Sequence, residues 1–127
     1  MDKDDSKETA SLPRCLVIKE YSSPYTDPLM LHAGDSLHIV PKESEWPGWI
    51  WCLNSSGIGR WVPESYIRRE GADQGILLRD YSPVELSVAV GDELWAGREE
   101  CGWFWCTNQQ GQSGWVPAEC LKPIPTA

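Results

Sequence analysis

Several features are scarce or missing in this chain of 127 residues. No apolar run is long enough to cross a bilayer, and the charged N-terminal residues include no apolar stretch of the kind a secretory signal needs. Lys and Arg total 11 against 19 Asp and Glu, which gives a net charge of −8, whereas nucleic-acid binding normally needs a basic surface. We therefore expect a cytoplasmic protein with no membrane and no nucleic-acid partner. The negative charge favours a basic partner or serves solubility alone.

The sequence also lacks the patterns that hold metals or perform catalysis. Five cysteines are present, an odd number, and no Cys-x-x-Cys occurs. Cys52 and Cys106 are expected to be small buried residues of strands. His32 and His38 have no second ligand at metal spacing, and no Ser/His/Asp or Cys/His arrangement is indicated. The sequence predicts no metal, no cofactor and no enzymatic activity.

No segment has a sustained helical period, and 11 Gly and 10 Pro separate short stretches of chain. Alternating apolar residues in segments 29–33 and 86–90, each followed by Gly-Asp, predict half-buried strands that end in tight turns. Further strands are expected at residues 16–18, 36–40, 76–78 and 93–96. The prediction is an all-β fold of two small barrels or sandwiches.

What the chain has in abundance is tryptophan, with eight residues, most of them in a repeated block. Gly48-Trp49-Ile50-Trp51-Cys52 leads through a turn to Trp61-Val62-Pro63, and Gly102-Trp103-Phe104-Trp105-Cys106 leads at the same spacing to Trp115-Val116-Pro117. This repeat predicts two copies of one hairpin-containing unit. The predicted division is a disordered tail (1–13), a first domain (14–70), a linker (71–74), a second domain (75–124) and a short tail (125–127).

Strand parity places one tryptophan pair on the outer face of each predicted hairpin. Trp51 should lie across from Trp61, and Trp105 across from Trp115. Such pairs stabilise a hairpin by about 0.2–1 kcal/mol. They could equally form an exposed apolar patch that docks another surface. Both interpretations stay open.

A family resemblance emerges when the motifs are placed in order. The second copy has Leu77-x-x-Asp80-Tyr81, Glu85-Leu86-Ser87-Val88, Gly91-Asp92, Gly102-Trp103-Phe104 and Gly114-Trp115-Val116-Pro117, and the first copy shows the same order. The chain resembles a tandem SH3 protein over residues 14–70 and 75–124. That resemblance implies two five-stranded barrels whose aromatic grooves bind proline-rich peptides in the preformed polyproline II conformation.

The resemblance also implies which residues of the first copy line the groove. The family positions are occupied by Tyr21, Trp49, Pro63 and Tyr66, while Lys19 replaces the first aromatic of the first-strand motif. We expect Trp49 to be exposed in a groove, as its counterpart Trp103 should be in the second copy. Tyr21 and Tyr66 could also be structural. Tyr25 would extend the aromatic surface, and Asp27 would meet a ligand cation, with Glu43 and Glu45 as secondary acids.

The second copy departs further from the family pattern. It keeps Tyr81, Trp103 and Pro117, but Arg79 replaces the first aromatic and Cys120 replaces the last tyrosine. Its loop after Tyr81 is three residues shorter and retains Glu85 as its only acid, at a position that is often structural in the family. These departures indicate divergent SH3 domains, compatible with a prokaryotic source. The second groove is expected to bind peptides weakly or not at all.

Two function classes follow. The first is a non-enzymatic module that binds a partner segment, basic and proline-rich, mainly through the first domain. The second is an assembly protein whose tryptophan faces make domain–domain or homo-oligomer contacts. Nothing in the sequence indicates an oligomer, which leaves the second class to experiment.

Overall fold

A computed structural model of the chain describes residues 13–43 and 46–125. These residues contain ten strands and two 3₁₀ turns, with no α-helix. The strands are β1 Arg14–Val17, β2 Ser36–Val40, β3 Trp49–Leu53, β4 Gly59–Pro63, β5 Ile67–Arg69, β6 Gln74–Leu77, β7 Glu93–Glu100, β8 Trp103–Thr107, β9 Ser113–Pro117 and β10 Leu121–Pro123; the 3₁₀ turns are Glu64–Tyr66 and Ala118–Cys120. The all-β prediction is confirmed. Apart from residues 13 and 125, the predicted tails lie outside the described residues.

The chain forms two compact units, and their boundaries differ from those of the sequence repeats. Residues 25–84 form one of them, which we call the contiguous unit. The other, which we call the split unit, combines residues 13–24 with residues 85–125. The ranges 14–70 and 75–124 thus describe repeats of sequence, whereas each folded unit takes residues from both repeats.

Each unit contains one five-stranded antiparallel sheet. The strand order is β4-β3-β2-β6-β5 in the contiguous unit and β10-β1-β7-β8-β9 in the split unit. The first strand of each repeat therefore lies between the second and the last strands of the other repeat. The predicted number of strands per sheet is confirmed, whereas the exchange of first strands was not predicted.

The segment predicted as a linker is the turn of a β-hairpin. Ile67 pairs with Leu77 and Arg69 with Gly75, and the Glu70 amide donates to the carbonyl of Gln74 at 2.9 Å. The entropic cost of closing a loop rises with its length. Strand β5 therefore acquires its partner at lower cost from the adjacent β6 than from β1, which is far away along the chain.

Side-chain volumes match the exchange. Gly75 lies diagonally across the ladder from Ile39, and a Cβ added to it would come within 2.4 Å of the Ile67 side chain and 3.3 Å of Ile39. In the split unit the equivalent diagonal pair is Cys15 and Ala96, both in the core. Contiguous repeats would instead combine Cys15 with Ile39 and Gly75 with Ala96. The first combination is overpacked and the second leaves a cavity, and both cost stability.

Polar side chains at the start of the exchanged strands show the same complementarity. Arg14 forms an ion pair with Glu93 in the split unit. At the equivalent positions of the contiguous unit, the Ser36 hydroxyl donates to the Gln74 side-chain oxygen at 3.3 Å. Contiguous repeats would face Arg14 with Ser36 and leave Glu93 opposite a neutral amide. The ion pair contributes little to stability because it is exposed, but, like the core packing, it favours the exchanged arrangement of the first strands.

Both predicted tryptophan hairpins are present. Trp51 pairs with Trp61, and Trp105 with Trp115. The rings meet edge to face, with centroids 5.1 Å apart in the first pair and 5.3 Å apart in the second. The pairing is confirmed. The two hairpins differ in exposure, because Trp61 is half-buried and Trp115 is fully buried.

The recurrent Asn and Gly of the sequence repeat build the hairpin turns. The Asn54 side-chain oxygen accepts hydrogen bonds from the amides of Ser56 and Ile58, each at 2.9 Å. Asn108 does the same for the amides two and four residues later. Gly57 has a φ of +82°, a conformation that costs a glycine little. The repeat is therefore one of turn chemistry as well as of hydrophobic pattern.

Two predicted strands, at residues 29–33 and 86–90, are wrong. The predicted alternation of burial is largely present, but the backbone forms only isolated bridges, which join Leu31 to Tyr81 and Val88 to Tyr21. Each segment then reaches a glycine with φ near +95°, Gly34 or Gly91, where the chain turns. Pairing at a single residue is too short to propagate a strand, so both segments are loops.

The buried residues of each sheet form its core. Cys52 and Cys106 are buried as predicted. The split-unit core consists of Cys15, Val17, Leu86, Val88, Leu94, Ala96, Cys106, Val116 and Cys120. In the contiguous unit the buried aliphatic residues are Leu31, Leu37, Ile39, Val62, Ile67 and Leu77.

Candidate functional site

Four of the predicted groove residues belong to the contiguous unit, where they form two pairs. Trp49 on β3 is paired in register with Pro63 on β4. Tyr66, at the end of the 3₁₀ turn that follows Pro63, meets Tyr81 edge to face, with ring centroids 5.4 Å apart. The Tyr81 hydroxyl donates to the backbone carbonyl of Trp61 at 3.0 Å. This set of side chains is the candidate groove.

The tyrosine of the first-strand motif in this set comes from the second repeat. The family resemblance placed Tyr21 with Trp49, but Tyr21 belongs to the split unit. Tyr81 takes the equivalent position, and two backbone hydrogen bonds of 2.8 and 2.9 Å join it to Leu31. The predicted first-copy set is therefore not brought together. The exchange of first strands is the cause, because it carries each motif tyrosine into the unit of the other repeat.

The side chains of this candidate groove are buried. Trp49 is 8% exposed, and Tyr66 and Tyr81 are 3% exposed. The Arg79 guanidinium lies 4.7 Å from the Tyr66 ring centre. Trp103 is likewise 7% exposed. The expectation that Trp49 and Trp103 present open rings is wrong, since in this conformation neither ring is open to a ligand.

The split unit gathers a smaller set. Tyr21 meets Trp103 edge to face at 5.5 Å, and Trp103 is paired in register with Pro117. Cys120 stands at the position equivalent to Tyr66, and it is buried. The second tyrosine that the family groove requires is therefore absent from this unit.

A buried polar network joins the two segments of the split unit. The Tyr21 hydroxyl donates to the Glu85 carboxylate, and so does the Ser23 hydroxyl, at 2.7 Å. Glu85 is 7% exposed. Burial, followed by the hydrogen bond to Glu85, raises the pKa of Tyr21 above its ordinary value of 10.0. Glu85 thus links residues 21–23 to the rest of the unit, a structural use of the acid in the shorter loop.

Tyr25 belongs to a second group of side chains in the contiguous unit, which we call the aromatic-cationic cluster: Tyr25, Lys42, Trp51, Arg60 and Trp61. The Tyr25 and Trp51 rings are 5.8 Å apart. The Lys42 ammonium lies 3.8 Å from the Trp51 ring centre and 5.7 Å from that of Trp61. The Arg60 guanidinium lies 5.0 Å from the Tyr25 ring centre.

Sequence reasoning singled out the aromatic residues of this cluster but missed its two cations. The sequence signal was present, because Lys42 follows β2 closely and Arg60 directly precedes Trp61. The acids assigned to a ligand cation are placed differently. Asp27 and Glu43 are exposed, and Glu45 lies outside the described residues.

The described residues offer few other sites. In segments 13–43 and 46–125, no group of three or more His, Cys, Asp or Glu side chains could hold a metal ion. No helix of the same segments has the length and hydropathy needed to span a membrane. None of the five cysteines, all of which lie in the described segments, forms a disulfide, and Cys101 is exposed.

The buried thiols predict a loss of stability at alkaline pH. Burial raises the pKa of Cys52 from 9.0 to about 11 and that of Cys106 to about 12. Above pH 9.0 the unfolded chain releases these protons while the folded chain retains them, so the unfolded state becomes increasingly favoured until the folded-state pKa is passed. We expect the free energy of unfolding, measured by urea denaturation under reducing conditions, to decline as pH rises above about 9. In Cys106→Ala the free energy of unfolding should decline less steeply with pH. An unchanged slope would contradict the raised pKa of the Cys106 thiol.

Comparison with known proteins identifies part of the chain. Residues 14–69 match the variant SH3 domain family. That segment is a variant SH3 domain. SH3 domains are generally protein-interaction modules without catalytic activity. The match ends at the last residue of β5, so the second repeat lies outside it.

The chain is also similar to a small part of a much larger protein. Myosin-1 of Aspergillus niger is 33% identical to it over 61 residues, which are 47% of this chain and 5% of the myosin. The chain therefore spans a small fraction of that relative's length. No solved structure matches the chain.

Proposed function

We propose that the chain is a non-enzymatic protein-interaction module that binds a partner segment, proline-rich or related, through the candidate groove of the contiguous unit. The variant SH3 domain at residues 14–69 supports the class of function. The observation that carries the site is the presence in one unit of the Trp49–Pro63 pair and the Tyr66–Tyr81 pair. The split unit, with Cys120 in place of the second tyrosine, is the weaker candidate.

The physical basis is the low ordering cost of a polyproline II ligand. Such a segment has no internal hydrogen bonds and is already extended, so packing its rings against aromatic faces loses little conformational entropy. Because the groove side chains are buried in this conformation, binding requires Trp49 and the two tyrosines to become accessible. The Arg79 guanidinium lies 4.7 Å from the Tyr66 ring centre, so movement of this side chain is one change that would expose the ring.

A second candidate function is that of an assembly protein, in which the aromatic faces hold the structure together or join copies of the chain. Trp51, Trp61 and Trp105 are only partly buried and are available for such contacts, whereas Trp49 and Trp103 are buried and offer no open groove surface. Gel filtration with light scattering measures the relevant property. A stable oligomer supports assembly.

An NMR titration of the labelled full chain tests peptide binding. A proline-rich peptide without charged flanks is expected to cause saturable shifts centred on the Trp49 indole N–H. These shifts should be lost in Trp49→Ala and reduced in Trp49→Phe, which preserves a ring in the site. Trp103→Phe is the matched control and should leave the titration unchanged. No shift at millimolar peptide, with the indoles protected from solvent exchange, would leave assembly as the better account.

A further inference from the structure

The two cations of the aromatic-cationic cluster are not neutralised within the described part of the chain. Neither Lys42 nor Arg60 forms an ion pair with a carboxylate there. One Arg60 Nη donates to the Gly59 carbonyl at 2.7 Å, while its buried Nε–H has no acceptor among the same residues. Two positive charges therefore border three aromatic rings with capacity for an anionic partner.

The equivalent positions of the second repeat lack these cations. Counted from the Gly-Asp turns, Lys42 corresponds to Glu99, and counted from the paired tryptophans, Arg60 corresponds to Gly114. A Cβ on Gly114 would come within 2.8 Å of the Leu86 backbone, so no arginine could be placed there. The aromatic pair is common to both hairpins, whereas the positive charge belongs to one. The charge is therefore not a requirement of the hairpin itself.

We propose that the aromatic-cationic cluster selects a partner segment with acidic side chains beside its apolar or proline-rich residues. Lys42 and Arg60 would pair with Asp or Glu of the segment, and the Tyr25, Trp51 and Trp61 rings would pack against its apolar atoms. Aromatic residues and arginine are enriched at the centres of protein interfaces, where they supply both contact area and directed hydrogen bonds. The proposal rests on the function proposed above and names the chemistry of the bound segment.

The charge of this cluster opposes the sequence-based expectation of a basic ligand. That expectation depended on the net charge of −8 and on Asp27, Glu43 and Glu45. Asp27 and Glu43 are exposed and form no ion pair with Lys42 or Arg60 within the described residues. A basic segment placed at Trp51 and Trp61 would meet two like charges at short range, which disfavours that partner.

Three peptides with one proline-rich core and different flanks test the inference on the full chain. The flanks are two Glu, two Gln or two Arg, and affinity is measured by isothermal titration calorimetry. We expect the Glu-flanked peptide to bind about tenfold more tightly than the Arg-flanked one. The net charge of −8 favours the Arg-flanked peptide at long range, so a preference for Glu reports the local contact.

Charge reversal at one exposed cation provides the matched control. Lys42→Glu should abolish or invert the preference, whereas Lys122→Glu changes the net charge equally from the split unit and should leave it unchanged. Arg60→Gln, which retains a polar side chain, should reduce the affinity ratio between the Glu-flanked and Arg-flanked peptides by at least half. Equal or tighter binding of the Arg-flanked peptide overturns the inference while the proposed function stands. Failure of all three peptides to bind overturns both.

Discussion

Removal of residues 1–24 is expected to unfold the split unit and to leave the contiguous unit folded. Strand β1 lies second in the split sheet, between β10 and β7, and its Val17 is completely buried. Without β1 the sheet loses ladders on both sides and a core residue, which no small domain tolerates. The contiguous unit keeps all five of its strands, because they fall within residues 25–84.

The tryptophan indole N–H signals provide the readout of this deletion, since each hairpin carries its own set. Those of Trp103, Trp105 and Trp115 should collapse to unfolded positions, while those of Trp49, Trp51 and Trp61 keep their dispersion. A chain that begins at residue 13 is the matched control against which losses are scored. The reverse pattern, in which the first hairpin unfolds and the second persists, would show that the repeats fold contiguously.

The exchange changes what an isolated repeat can do. A fragment of residues 14–70 contains Trp49, Pro63 and Tyr66 but not Tyr81, which contacts Tyr66 in the whole chain. Such a fragment could close only by placing β1 between β2 and β5, where Cys15 would lie diagonally across the ladder from Ile39 of β2. Binding measured on that fragment would therefore report a groove of different composition. The contiguous unit is the natural minimal fragment for the proposed site.

Local features of the fold were predictable because they depend on neighbouring residues. The Trp51–Trp61 pair follows from period-two strand parity, and the turn follows from an Asn that bonds its own backbone and a Gly that accepts positive φ. Burial of Cys52 and Cys106 follows from the same parity. The two false strands arose because alternation of burial also occurs in a loop that packs one side against a core.

The choice of partner strand was not predictable from such patterns. β1 and β6 have the same hydrophobic pattern, so either could fill either sheet as far as periodicity is concerned. Only second-order features distinguish the two arrangements: the short turn between β5 and β6, the Arg14–Glu93 ion pair, and the packing of Gly75 with Ile39 and of Cys15 with Ala96. The same ambiguity affects the site. Trp49, Pro63 and Tyr66 were assigned together and lie in one unit, but which motif tyrosine joins them depends on which first strand enters that sheet.

Glu85→Ala is expected to lower the stability of the split unit by about 2–4 kcal/mol, a large effect for one loop residue. The substitution removes the acceptor of the Tyr21 and Ser23 hydroxyls, which are partly buried. A buried hydroxyl left without an acceptor loses its hydrogen bond and retains the desolvation cost. Chemical denaturation followed by the signals of Trp103 measures the change.

Two companion variants separate this network from a general effect of losing charge. Glu99→Ala removes an exposed acid from the same unit and should change its stability by less than about 0.5 kcal/mol. Tyr21→Phe removes one donor, and combined with Glu85→Gln it should cost less than the two separate changes added together, because both act on one hydrogen bond. If the costs were additive, or if Glu85→Ala matched Glu99→Ala, Glu85 would not be the link between residues 21–23 and the split sheet.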